Sequence, residues 1–212
     1  MAVTGRENQK TRTRRAIVDA CRELTRTGAE ITMPQVAQAA LVSEATAYRY
    51  FPDLVSLLTE SLAGLWPPPA EALAPVAASA DPAERVAFAC EHLMRGVHAY
   101  RGAVRAMIAH TIASPARVQA RPGLRFELID QALAPFLGDL EPAAMTGLKQ
   151  GLAVVISAEA LFVLTDLVGL PADEAIASAV RTARALTGAA FGGQRQGHAG
   201  QQRIALATRY DP

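Results

Sequence analysis

Apolar residues recur at three- and four-residue steps along most of the chain, and strand signals are nearly absent, with no alternating β-branched run and no Asn-Gly hairpin turn. The pattern predicts an all-α fold of about nine helices. The first is expected over 11–27, with Ala16, Ile17, Ala20, Cys21 and Leu24 as one stripe and Gly28 at the C′ position. A short helix opens at Thr32, where Thr32 and Gln35 form a capping-box pattern and Pro34 is tolerated in the first turn. Val36, Ala37 and Ala40 give it an inner face. Ser43 is a good N-cap for a third helix ending near Tyr50. Phe51-Pro52-Asp53 breaks the chain, and Asp53 caps a fourth helix to about 65 with Leu54, Leu57, Leu58 and Leu62 inward.

Trp66-Pro67-Pro68-Pro69 cannot continue a helix and places a domain boundary. Beyond it the periodicity predicts helices over 82–100, 101–112, 124–137, 142–168 and 171–191. The expected organisation is a domain over 1–66, a second over 67–191, and a mobile Gly- and Gln-rich tail over 192–212. There is no internal repeat.

Composition narrows the function classes. The 212 residues are 50% hydrophobic and 19% charged, which excludes a disordered chain. A net charge of +1 means that any nucleic-acid site must be local. Two cysteines give no disulfide framework, no cysteine or histidine pair has zinc spacing, and neither a metal nor a cofactor is expected. The basic, polar start does not resemble a signal peptide. The most apolar stretch, 152–170, carries Glu159 and Asp166, which favours a buried bundle helix over a membrane span. The expectation is a cytoplasmic protein with no membrane partner.

The segment 32–50 is two short helices joined by a tight turn. In a helix-turn-helix the second helix enters the major groove and the first braces it. A helix of about two turns is not stable alone, and Val42, Ala47 and Phe51 supply the side that holds it. The opposite side offers Glu44, Ala45, Tyr48 and Arg49, with Glu44 and Tyr48 one turn apart.

The run Val36-Ala37-Gln38-Ala39-Ala40-Leu41-Val42-Ser43-Glu44-Ala45-Thr46-Ala47-Tyr48-Arg49-Tyr50-Phe51-Pro52-Asp53 resembles the DNA-binding core of the tetracycline-repressor-type family of transcription regulators. Its place near the start of a chain of this length agrees, and the segment 166–186 weakly resembles the family's junction between its last two helices. The resemblance implies a homodimer on a palindromic double-stranded DNA operator, a helical pocket for a small-molecule effector, and release of DNA when the effector binds. It implies that Tyr48 and Tyr50 lie near phosphates, that Thr46 is close to DNA, and that Thr32 and Ser43 sit at helix ends facing the backbone. Repression is the family default.

Three positions depart from the family pattern. Leu41 stands where the family has glycine, and a left-handed conformation there costs about 1 kcal/mol or more for any other residue, which leaves open a turn built differently. Glu44 and Leu54 stand where cations are common. The phosphate term then falls to Arg6, Lys10, Arg12, Arg14 and Arg15, whose alternative is a solvated tail. Arg49 either contacts DNA or pairs with a surface acid. Glu44 either complements the helix dipole or accepts from cytosine N4.

The pocket is expected between the helices of 54–137, mainly apolar and suited to a hydrophobic or aromatic compound. Trp66, Met94, Tyr100, Met107 and Phe126 are candidate lining residues or ordinary core. His92, His98 and His110 lack metal spacing and are ligand contacts or polar tips; Glu159 is at a rim or paired inside the bundle. Small and apolar residues on the last two long helices, including Gly151, Ile176, Val180, Ala183 and Leu186, suit intrachain packing and a four-helix dimer seam alike. The chain holds no Gly-x-Ser-x-Gly, P-loop, dinucleotide turn or paired metal carboxylates. A non-enzymatic regulator is the leading expectation, ahead of a helical scaffold with a degenerate DNA head and of a helical-bundle enzyme.

Overall fold

The first helix begins well before its apolar stripe. In the computed structural model, which describes residues 5–113 and 123–207, α1 spans Gly5–Thr25. Arg6, Glu7, Gln9 and Lys10 are good helix formers, and Glu7 in the first turn complements the helix dipole. The residues expected as a free basic arm are therefore helical from Gly5. The chain then forms α2 (Met33–Ala39), α3 (Glu44–Tyr50), α4 (Leu54–Leu62), α5 (Pro69–Ala72), α6 (Pro82–Ala99), α7 (Arg101–Ala113), α8 (Leu124–Leu133), α9 (Pro142–Val155), α10 (Ala158–Phe162) and α11 (Ala172–Ala207). Among the described residues there are no strands, and no single helix is long and apolar enough to cross a membrane.

The chain divides into two compact units. The first takes the residues up to Pro67 together with those from Gly96 through α7; the second takes Pro68–Arg95 together with the residues from Gly123 onward. The proline run thus falls at a boundary, but α7 belongs to the same unit as the N-terminal helices and packs on α4. The cause is local chemistry. Ala103 and Met107 on α7 are buried in the same cluster as Ile17, Cys21, Val36, Ala47, Phe51, Leu57 and Leu58. Gly102 lets the start of α7 press against the backbone of the α1–α2 loop, where Gly28 takes φ 68.

In the second unit α8 and α11 both pack on α9, and α5 packs on α8. Two differences from the expected helices stand out. Residues 142–168 do not form one helix: α9 ends at Ile156 (φ −85, ψ 70), and Ser157 caps α10, its side chain accepting from the Ala160 N–H. A π-helical turn over Val163–Leu167 follows. No proline or glycine marks this break; the serine cap does. The last helix, expected to stop at 191, continues as α11 to Ala207, and residues 208–212 of the expected tail lie outside the described residues.

Arg85, which the sequence pattern did not single out, is the organising polar group of this unit. It is 3% exposed. Its guanidinium donates to four carbonyls: Ala132 (2.8 Å), Gln131 (3.1 Å), Val76 (2.8 Å) and Ala77 (2.7 Å). A proline explains why one of these carbonyls is available. Pro135 has no N–H for the Gln131 carbonyl one turn back. A cation at the end of α8 also complements the helix dipole.

Candidate nucleic-acid interface

The pair α2–α3 is fixed at each end by side chains that the sequence pattern anticipated. Thr32 caps α2 in a capping box: its N–H donates to Gln35 Oε1 (2.9 Å), and its side chain accepts from the Gln35 N–H. Pro34 sits in the first turn. Ser43 caps α3, accepting from the Thr46 N–H at 3.2 Å, with the Ser43 and Thr46 hydroxyls 2.9 Å apart.

Between the helices the chain turns through Leu41, the only non-glycine residue with positive φ (55°) among the described residues. The Leu41 N–H donates to the Gln38 carbonyl at 3.1 Å and the Val42 N–H to the Ala37 carbonyl at 2.9 Å. This is the Schellman arrangement, in which the left-handed residue is usually glycine. The turn is therefore not built differently; leucine takes the glycine conformation. Its side chain is 93% exposed, so no packing offsets the strain. Leu41→Gly is expected to raise stability by about 1 kcal/mol, read as a higher denaturation midpoint in urea. An unchanged or lower midpoint would mean that the leucine side chain makes a compensating contact.

Val42, packed on the core, with Ala47 and Phe51, both fully buried, holds α3 against the first unit. The opposite face carries Glu44, Ala45, Tyr48 and Arg49, all exposed. Tyr48 is 48% exposed, which argues against a core role. Arg49 lies 5.6 Å from the centre of the Tyr50 ring, and Tyr50 is half-buried against the core. The short rigid helix thus presents a phenol, a guanidinium, a carboxylate and a methyl on one surface, beside the two capping hydroxyls.

The cations of α1 do not all face outward in the same way. Arg14 is committed within the fold: it forms a two-bond ion pair with Glu60, donates to the Tyr50 carbonyl at 3.2 Å and lies 4.3 Å from the centre of the Phe51 ring. It staples α1 to α4 and to the end of α3, so its donors serve architecture before any phosphate. Arg22 does the same further along, donating to the Ser61 carbonyl at 2.9 Å. Lys10, Arg12 and Arg15 are exposed, and Arg15 sits 3.6 Å from Asp19. The side chain of Arg6 lies outside the described residues. Leu54 is half-buried on the core and Asp53 caps α4, accepting from the Ser56 N–H at 2.7 Å.

The residues expected to line a pocket divide between the two units. In the first unit Trp66 meets Tyr100 edge to face at 6.0 Å and fills the space over Gly96, Met107 is core, and His110 is half-buried. In the second, Met94 is fully buried, Phe126 is largely exposed, and His92 has a buried Nε2 with no hydrogen-bond partner among the described residues. Glu159 is ion-paired with Arg125 at 3.1 Å. The main cleft of the second unit involves α8, α9, α10 and α11. Of its described lining only Arg125 on α8 falls within the 54–137 span where a pocket was expected; the rest comes from 153–182, and Glu159 is the one candidate lining residue that borders it.

On the last helices, Ile176 and Ala183 are buried within the unit, Gly151 and Val180 are half-buried, and Leu186 is exposed. The α11 stripe turns instead onto Thr187, fully buried with its hydroxyl donating to the Ala183 carbonyl. Ile176 and Ala183 are thus engaged in intrachain packing. Burial pushes the Cys21 thiol up against a smaller opposing pull from the Ser61 hydroxyl; burial and then the nearby Glu91 push Cys90 up to about 12. Both thiols are protonated at neutral pH and neither is poised as a nucleophile.

Compared with known families and curated proteins, the chain matches no family model and no curated sequence.

Proposed function

We propose that this protein is a ligand-responsive transcription regulator of the tetracycline-repressor type, a repressor by default, which binds a palindromic operator as a homodimer and releases it when a small apolar effector binds. The observation that carries the reading is the exposed face of α3. A seven-residue helix with a buried Ala47 on one side presents Glu44, Ala45, Tyr48 and Arg49 on the other. A polar, rigidly held face on so short an element has no packing purpose. It has the dimensions of a helix that enters the major groove. The hydroxyls of Thr32 and Ser43, at helix N-termini, suit the flanking backbone, and Lys10, Arg12 and Arg15 supply positive charge on α1. Dimerisation through α9–α11 fits the exposed apolar residues Leu167 and Leu186.

Tyr48 tests the reading. Against a palindrome from the DNA beside its own gene, Tyr48→Phe is expected to cost about 1 kcal/mol, the worth of one net hydrogen bond. Tyr48→Ala is expected to cost more, with thermal stability unchanged. Fluorescence anisotropy at fixed salt measures both. Glu44→Ala separates its two roles: loss of discrimination at one base pair by about 1–3 kcal/mol marks base reading, whereas a gain on every sequence marks relief of repulsion from phosphate. Normal operator binding by Tyr48→Ala would sink the proposal for this face.

A further inference from the structure

The break between α9 and α10 opens a site. The two segments bend by 44° where Ile156 and Ser157 leave helical geometry, and the π turn widens the backbone beyond them. Such turns recur at functional sites. The result is a cleft of about 550 Å³ bordered by α8, α9, α10 and α11, within the range of roughly 300–1,000 Å³ that small-molecule sites occupy. Its walls are apolar: Val154, Val155, Ala160, Val163, Leu164 and Ala179. Among the described residues one cation, Arg125, lies with them. Arg125 is 23% exposed and Glu159 37%. The Arg125 bonds are long, to Glu159 at 3.1 and 3.4 Å and to the Ala153 carbonyl at 3.4 Å. A guanidinium carries five donors, and the Nε–H of Arg125 has no partner among the described residues.

We propose that this cleft binds a small amphipathic carboxylate, its acyl or aromatic body against the Val154–Leu164 wall and its carboxylate on Arg125. Glu159 on Nη2 and the Ala153 carbonyl on Nη1 hold Arg125 in place, and the ligand carboxylate takes the Nε–H. Charge-assisted bonds of this kind favour an anion over a neutral head. The inference names the effector class and its place, and its consequence for DNA release rests on the regulator reading; binding itself does not.

The test uses the full chain with decanoate and decanol as probes, titrated by calorimetry. Decanoate is expected to bind saturably, one per chain. Arg125→Met should weaken decanoate by about tenfold or more, as the loss of a charge-assisted bond implies, and leave decanol unchanged. Ala160→Phe fills the cleft and should abolish both, with the circular dichroism spectrum retained. No saturable decanoate binding, or equal binding by wild type and both variants, overturns the proposal. An operator-shift assay on the same samples separates the two claims. Decanoate binding without operator binding supports the cleft and counts against the regulator; operator binding without decanoate binding overturns the cleft alone.

Discussion

Arg85→Met is expected to destabilise the protein by about 3–5 kcal/mol. A buried acceptor left without a donor costs about 1–3 kcal/mol, and Arg85 serves four carbonyls. One of them, on Val76, keeps a second donor in the Ser79 N–H at 3.1 Å. The Gln131 carbonyl has no such reserve on its own helix, because Pro135 stands where the donor would be. Methionine fills much of the space, so the loss reports hydrogen bonding more than a cavity. Arg85→Lys should recover only part of it, since one ammonium cannot span carbonyls on α8 and on the Ala74–Val76 turn. Thermal and urea denaturation followed at 222 nm decide the matter. A loss below about 1 kcal/mol would mean that water replaces the guanidinium.

Gly102→Ala is expected to cost about 3 kcal/mol, against the usual gain from replacing glycine inside a helix. A Cβ at this position would lie 1.8 Å from the Ala29 carbonyl oxygen and 2.5 Å from its carbon. The obstacle is backbone, so α7 or the α1–α2 loop must move, at the upper end of what overpacking costs. Gly151→Ala is the control. Nothing lies within 4 Å of a Cβ there, and it should stabilise α9 by about 0.5–1 kcal/mol. If the two alanine variants melt alike, α7 does not approach the loop as closely as the structure shows.

These two residues also show what the sequence reveals and what it conceals. The caps of α2, α3 and α4 were legible because Thr32, Ser43 and Asp53 bond to backbone only three residues away. The inner faces of α1 and α4 were legible because helical periodicity brings Ile17, Cys21, Leu57 and Leu58 to one side. On the candidate DNA face, the exposure of Tyr48 followed from its small neighbours. Arg14 looked like a free cation because its partners, Glu60 and Tyr50, are distant in sequence. Arg85 was hidden for the same reason: its partners lie up to 47 residues away, and the one hint was Pro135, which leaves the Gln131 carbonyl without a helical donor. The start of α1 was missed because an amphipathic stripe marks where a helix packs, not where it begins. The break at Ile156 was missed because Ser157 reads equally as a small packing residue and as a cap.

The division of the chain has a consequence for its synthesis. The core of the first unit includes Ala103 and Met107, while the intervening Pro68–Arg95 belongs to the second. As the chain leaves the ribosome, α1 to α4 emerge first but lack the residues that complete their core. They wait for Pro68–Arg95, which belongs to the other unit, to be made at about 5–20 residues per second, with apolar surface uncovered. The N-terminal unit of this protein is thus made first and closed late, and a nascent chain halted at the proline run would hold an unfinished core.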